Sequence, residues 1–306
     1  MKKILVVYYT QSGQLFDILE NLTSTISGDT ISISYHKIKL EEPFPFPWVG
    51  QTFYDSFPET FLQIPPKIHA PEEELLNTKY DLVILGYQVW FLTPSPAINS
   101  FLKSEIAKKL LKNTPVVTVV ACRNMWIQAQ EKVKRLLAEN QAKHSGHIAL
   151  VDRHINHISV ITIEYWMTTG KKDRKWGIFP KPGVSDKEIK NSARFGNPIR
   201  KALLTNSFET LQESLLALDA VKVNPYLVMT DARGNVLFRK WANFLIKKGE
   251  AGNPDRLKWI GLFKIYLKFA IWVIAPIVFI VFLLTYLPTN QKRNKERKYY
   301  SSVYLK

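Results

Sequence analysis

Ile4-Leu5-Val6-Val7-Tyr8-Tyr9-Thr10-Gln11-Ser12-Gly13-Gln14-Leu15 is the stretch that decides the fold. An apolar run of strand length feeds a Thr/Ser/Gly turn, and the following Gln14 to Ile26 places Leu15, Ile18, Leu19 and Leu22 at helical spacing. A strand, turn and helix of this composition hold an anion without a positive side chain. The N–H groups of the turn and first helical residues converge, and the helix dipole favours negative charge. Thr10 and Ser12 add hydroxyl donors, and Gly13 lets the backbone come close. The turn has neither the lysine of a nucleoside-triphosphate loop nor the three glycines of a dinucleotide turn. Its spacing suits one terminal phosphate, as on FMN, with Thr10, Gln11, Ser12, Gly13, Gln14 and Leu15 as contact residues. The same residues also read as an ordinary helix cap.

The order of elements downstream favours the phosphate reading. Strands are expected at Ile4 to Tyr9, Thr30 to Ile38, Asp81 to Tyr87, Thr114 to Ala121 and His147 to Val151, with later helices at Ala97 to Leu111 and Ile127 to Asn140. Near-continuous apolar strands alternating with helices imply right-handed crossovers and an α/β, doubly wound, five-stranded parallel sheet. Thr30 to Ile38 alternates apolar and polar, as an edge strand does. A ligand of such a sheet binds beyond the C-terminal strand ends, at the switch point between strands 1 and 3. Two loops should meet the phosphate turn there. Tyr87-Gln88-Val89-Trp90-Phe91 offers aromatic faces to a flat isoalloxazine ring, and Cys122-Arg123-Asn124-Met125-Trp126 offers amides and polar side chains to its edge.

On these residues the chain resembles the flavodoxin-like proteins, Tyr8 to Gly13 matching their phosphate loop and Tyr87 to Pro94 the ring loop of the quinone reductases among them. Over nearly its whole length it is similar to the bacterial dialkylresorcinol condensing enzymes. The strings that carry this are Glu42 to Trp48, Tyr87 to Trp90, Cys122 to Trp126, Pro182 to Ser185 and the hydrophobic C-terminus. Those proteins accompany a ketosynthase in flexirubin-type pigment and dialkylresorcinol pathways. The resemblance therefore implies a ketosynthase and acyl carrier protein as pathway partners, and a second copy of the chain as a further one. A flavodoxin-like fold lacks thiolase-type condensing chemistry, so the implied role is aromatisation of a 2,5-dialkylcyclohexane-1,3-dione to the resorcinol. An electron carrier or quinone reductase, and a non-catalytic scaffold, are the other readings of the same fold.

Such an oxidation needs a hydride acceptor, which flavin N5 supplies, and a base. Condensation instead needs an activated Cys with a His. The single cysteine, Cys122, sits at a strand end, where a buried small hydrophobe is the simpler reading. His154 and His157 lie just past strand 5 and, with Tyr87, are the candidate catalytic proton carriers; Tyr165 is a further one. The histidine spacing also suits a metal, but no second ligand cluster accompanies it, so no metal is expected.

The domain reading follows. Residues 1–167 form the FMN domain, interrupted at 41–70 by an insertion with Pro43, Pro45, Pro47, Pro58, Pro65 and Pro66 among Phe44, Phe46, Trp48, Phe53, Tyr54, Phe57 and Phe61. Proline density excludes a long helix and the aromatics are too many for water, so this is an apolar lid for an alkyl substrate or a cover for the sheet edge. Residues 168–255 read as an extension, with a capping box at Ser185 to Glu188, a helix to about Leu204, another at Leu203 to Leu218, a hairpin around Asp231-Ala232-Arg233-Gly234 and a short basic helix at Arg239 to Lys248.

Of the net charge of +16, residues 239–306 hold 14 Lys/Arg against 3 Asp/Glu. A basic tail suits nucleic acid, but its apolar neighbour points to a membrane instead. Residues 256–268 read as an interfacial amphipathic helix, and 269–287 are 19 uncharged residues reaching ~28 Å at ~1.5 Å each, enough for a bilayer core. Basic residues flank both ends, so this is either a span with the 288–306 tail outside or a re-entrant anchor broken at Pro276. One cysteine, and an N-terminal apolar run too short for a signal core, place the protein on the cytoplasmic face of the inner membrane with a lipid-like alkylated ring as substrate.

Overall fold

A computed structural model describes residues 1–305. Its sheet consists of β1 (Lys2–Tyr8), β2 (Ile31–Lys37), β3 (Leu82–Trp90), β4 (Pro115–Cys122) and β5 (Lys143–Val151). Their order is β2-β1-β3-β4-β5 with every neighbouring pair parallel. This is the doubly wound order in which the chain reverses between β1 and β3, and it places the switch point where the sequence put it. Ile4 to Val7 and Leu82 to Leu85 are essentially inaccessible, as strands covered on both faces must be. β2, at the edge, is only partly covered, and alternates only in its second half, where Tyr35 and Lys37 are exposed and Ser34 and His36 partly buried.

The Gln14–Ser24 helix follows β1 and buries Leu15, Ile18, Leu19 and Leu22 on the sheet. The predicted 97–111 helix is two, Pro96–Leu102 and Glu105–Leu111, because the Ser104 hydroxyl caps the second by accepting from the Ala107 N–H. The Ile127–Glu139 helix crosses from β4 to β5.

The insertion leaves the core and returns to it through a bridge between Leu40 and Ile68, so its two ends meet. Between them are two short helices, Thr52–Asp55 and Phe57–Phe61. The extension wraps the Gln14–Ser24 helix. The Ser185 hydroxyl accepts from the Glu188 N–H as the capping box requires, and the Ser192 hydroxyl donates to the Ile18 carbonyl.

The expected hairpin at residues 231–234 is instead the middle of one long helix, Pro225–Leu245. The Asn224 side chain accepts from the Tyr226 N–H, Pro225 occupies the first turn, and burial of Val228, Ala242 and Leu245 overrides the local turn signal. The basic helix expected at Arg239 to Lys248 is the end of this one.

A second hydrophobic cluster joins the insertion to the C-terminal region. Phe57 and Phe61 pack with Ala242, Leu245, Ile260 and Phe263, and Phe57 stacks on Phe263 with ring centroids 4.2 Å apart. Pro276 does not break the apolar segment. One helix runs Pro254–Leu284, and a π-turn at Ala270–Ile274 absorbs the disruption next to the proline. Its stretch past Ala270 touches the protein along a narrow line. Tyr226 donates to the Ala275 carbonyl at 3.0 Å and packs against Phe279 and Phe282. Phe269, Trp272, Val273, Ile277, Ile280 and Leu284 are exposed.

The tail then folds back. Tyr299 donates to Glu131 at 2.5 Å, Gln212 donates to the Ser301 carbonyl at 2.8 Å, and His144 Nδ1 meets the Val303 carbonyl at 3.1 Å.

Candidate functional site

The three predicted loops lie at the C-terminal edge of the sheet. Gly13 begins the phosphate helix at φ +86°, a conformation available to glycine at little cost, and a Cβ built there meets nothing within 4 Å. No side chain caps the helix, so its first-turn N–H groups are not taken by a capping oxygen. Thr10 accepts from the Gly13 N–H at 3.1 Å and shapes the turn.

The turn is tied to both neighbours through two glutamines. The Gln11 N–H donates to Gln88 Oε1 at 3.3 Å, while the Gln11 side chain donates to the Pro45 carbonyl and accepts from the Trp48 indole. Gln14 is not free for a ligand. Its amide exchanges two hydrogen bonds with Val184, at 3.0 and 3.1 Å, and Leu15 is buried in the core. Gly183 is why that clamp closes, since a Cβ there would come within 2.8 Å of both Gln14 and Trp166.

β3 runs three residues beyond the expected end at Tyr87 and returns through a two-residue antiparallel pairing, Trp90 with Thr93 and Val89 with Pro94. The turn residues Phe91 and Leu92 have φ of +49° and +62°. Consecutive left-handed residues make the tight hairpin turn that normally takes Asn-Gly. For large side chains each costs of order 1–3 kcal/mol, and such strain concentrates at functional sites. No glycine marks this turn, so the sequence hid it.

Trp90 and Phe91 are covered by residues of the insertion and by Tyr9. Phe44, Trp48 and Tyr9 pack edge-on to Trp90 at 5.2, 5.4 and 6.2 Å, and Phe53 stacks on Phe91 at 4.5 Å.

Tyr87, expected as a proton carrier, is not placed to act as one. It pairs with Val120 inside the sheet, is fully buried, and donates to Gln130 at 2.6 Å. Burial holds its pKa well above the ordinary value. Gln130 donates on to Thr118, which also contacts His144 and His147, so Tyr87 belongs to a buried core network rather than to the site.

His154 is exposed, with its backbone N–H on Asp152. His157 lies against the apolar helix, its Nε2 3.1 Å from the Ile271 carbonyl and its ring 4.9 Å from that of Trp272. Neither joins the ring loops. Tyr165 lies outside them too, on the 156–169 helix. No cluster of three metal-binding side chains occurs among the described residues.

In the third loop, Arg123 donates to the Asn156 side chain at 2.8 Å, and Asn124 donates to the same oxygen at 3.0 Å. Burial lowers Arg123 to about 10, so it remains charged at neutral pH and pins the loop to the Asn156–Thr169 helix. Burial also pushes the Cys122 thiol up, far from a thiolate nucleophile. Trp126 is buried beside His147, and Met125 packs towards Gly234. Asn124 Oδ1 and Asp152 Oδ2 are buried without hydrogen-bond partners at this edge, as are the hydroxyls of Thr93 and Ser95 beside the ring loop. Buried polar atoms are normally satisfied, so such a concentration marks a place for a polar ligand.

Sequence reading missed Asp231 and Lys132. Asp231 is fully buried one helical turn before Gly234, whose Cβ would lie 3.1 Å from Leu92 of the strained turn. One carboxylate oxygen accepts from the Gln128 N–H at 3.1 Å, and the other has no partner. Burial raises its pKa to about 7, against the opposing pull of the Gln128 hydrogen bond and Lys132. Lys132 is lowered to about 8 by burial and donates to the Leu92 carbonyl. No local signal identifies either residue, because the juxtaposition joins two helices a hundred residues apart.

Taken together, an uncapped helix N-terminus over open space, an aromatic turn and unpaired polar atoms at one sheet edge meet the needs of a flavin mononucleotide. No family model and no curated relative matches the chain. Among solved structures it is similar to a flavoprotein from Bacteroides eggerthii (20% identity over 50% of this chain and 91% of that one, TM-score 0.40). It is also similar to a flavoprotein in complex with FMN from Lactobacillus acidophilus (18%, 49% and 93%, TM-score 0.36) and to an archaeal flavodoxin (11%, 66% and 99%, TM-score 0.39). Its own strand order and switch point give residues 2–151 a flavodoxin-like fold.

Proposed function

We propose that the chain is an FMN-dependent oxidoreductase that aromatises a 2,5-dialkylcyclohexane-1,3-dione to a dialkylresorcinol at a membrane surface. The observation that carries this reading is the position of the lid. One side of it packs on Trp90 and Phe91, and the other is fused to the helix that exposes an apolar face. A soluble electron carrier has no use for a cover joined to a lipid-facing helix.

FMN, when bound, accepts a hydride at N5, and turnover needs oxygen or a quinone to reoxidise it. Ser12 and the first-turn N–H groups of the Gln14–Ser24 helix would hold the phosphate, while Trp90 and Phe91 would present the aromatic wall. Asn124 offers an unpaired amide oxygen to the ring edge, and the lid excludes water. Asp231, near neutrality behind the ring turn, is the group suited to take the proton from the carbon beside the one that loses hydride.

The apolar helix acts as an in-plane anchor. Its downstream tail packs on β5 and the Ile127–Glu139 helix, so a full span would pull the two ends apart.

Anaerobic addition of a dialkylcyclohexanedione to purified protein should bleach the bound flavin and yield one resorcinol per flavin. A flavin bleached by NAD(P)H but not by the dione would replace this reading with a quinone reductase, and purified protein without flavin would leave a scaffold.

A further inference from the structure

A cavity of about 230 Å³ lies between three elements, lined by Tyr54 of the lid, Val160, Ile161 and Glu164 of the Asn156–Thr169 helix, and Leu267, Lys268, Ile271 and Trp272 of the apolar helix. We propose that it binds the alkyl chain of an amphiphile drawn from the bilayer, and that this chain leads its ring to the flavin site. The inference deepens the function proposed above and rests on it for the identity of the ring.

The wall chemistry names the occupant. Val160, Ile161, Leu267, Ile271 and Trp272 are apolar. The polar groups gather at Glu164 and Lys268, which form an ion pair at 3.6 Å with side chains 44% and 52% accessible. These accessibilities put the charged pair at the rim and leave the depth apolar, the polarity profile of a single-chain amphiphile. The wall supplied by Leu267 to Trp272 belongs to the helix whose opposite side exposes Phe269, Val273 and Ile277. Trp272 marks the polar–apolar boundary at which such side chains settle in membranes. A chain in the bilayer therefore reaches the cavity without crossing water.

The cavity reaches the ring loop through a short aromatic relay. Tyr54 packs on Phe53 at 5.4 Å, and Phe53 stacks on Phe91 at 4.5 Å. Two aromatic rings therefore separate the cavity from the strained turn. His157, set against Trp272 and bonded to the Ile271 carbonyl, fixes the wall rather than the chemistry.

The test uses the full chain in nanodiscs with a dodecyl cyclohexane-1,3-dione carrying a diazirine at the chain end. Photolysis should label Tyr54, Ile161 and Ile271, and unlabelled ligand should compete saturably. Ile161→Trp, which fills the cavity, should reduce labelling about tenfold, the effect of excluding roughly two methylenes. Flavin content, read from the absorbance spectrum, should stay unchanged. Labelling spread along Phe269 to Leu284, unsaturated by competitor, overturns the proposal whether or not the variant folds. Loss of flavin chemistry with the dione, while labelling stays saturable and confined to the cavity, would instead overturn the function proposed for the site.

Discussion

Arg256 is where the lid and the C-terminal helix are locked together, and its replacement by methionine tests that coupling. The guanidinium is fully buried. It bonds Glu59 through two nitrogens at 2.5 and 2.7 Å, donates to the carbonyls of Gly249 and Asp55, and approaches Asp55 Oδ1 at 2.8 Å as an ion contact without hydrogen-bond alignment. Burial alone would lower its pKa, but Glu59 and Asp55 outweigh burial and hold it above the ordinary arginine value. Arg256→Met leaves the buried Asp55 carboxylate without its cation, and breaking a buried pair in this way costs roughly 3–5 kcal/mol. At roughly 2–4 °C per kcal/mol this is about 6–20 °C in the melting of the lid cluster. The phosphate turn is outside that cluster, so flavin binding should persist while preference for long-chain over short-chain diones collapses. Asp55→Leu with Glu59→Met in the Arg256→Met background removes the orphaned charges and should restore most of the stability. The coupling is refuted if Arg256→Met melts within about 1 kcal/mol of wild type and keeps its chain-length preference.

Gly13→Val forces a β-branched residue into φ +86° and should weaken FMN binding about five- to thirtyfold by fluorescence titration, since left-handed backbone costs roughly 1–2 kcal/mol. In stopped flow, the rate of flavin reduction by the dione should rise as pH passes through about 7 and Asp231 ionises, and Asp231→Asn should flatten that profile while its amide oxygen still accepts from the Gln128 N–H. Tyr87→Phe leaves Gln130 Oε1 unpaired and should cost about 1–3 kcal/mol by denaturant melts without slowing flavin reduction. Burial lowers His144 to about 4 and His147 well below its usual value. The unfolded chain binds their protons near pH 6.5, so stability should be full above that pH and fall towards pH 4, His144 alone contributing on the order of 3 kcal/mol. Protease added to inverted vesicles should reach the tail after Asn290 on the same side as the Gln14–Ser24 helix; cleavage only from the opposite face would make the apolar helix a span.

Local physics wrote part of this protein directly into its sequence. Runs such as Ile4 to Tyr9 and Val116 to Ala121 have one stable use, as parallel strands buried on both faces, and the periodicity between them sets helices and crossovers of fixed hand. The phosphate turn, the Ser185 capping box and the long apolar segment were legible for the same reason, since each is satisfied by residues adjacent in sequence. What tertiary structure decided depends on surfaces that meet across long separations. Tyr87 reads as a loop aromatic, yet β3 continues past it because β4 pairs with that stretch and Gln130 takes its hydroxyl. Asp231 to Gly234 reads as a turn until packing on Leu92 and Met125 makes it helix. Pro276 leaves a break or a continuous segment equally open until the π-turn beside it keeps one helix, and the tail's contacts with β5 and the Ile127–Glu139 helix have no local signal. The strain at Phe91 and Leu92 and the acid at Asp231 have no local signature, because each exists only where surrounding structure enforces it against local preference.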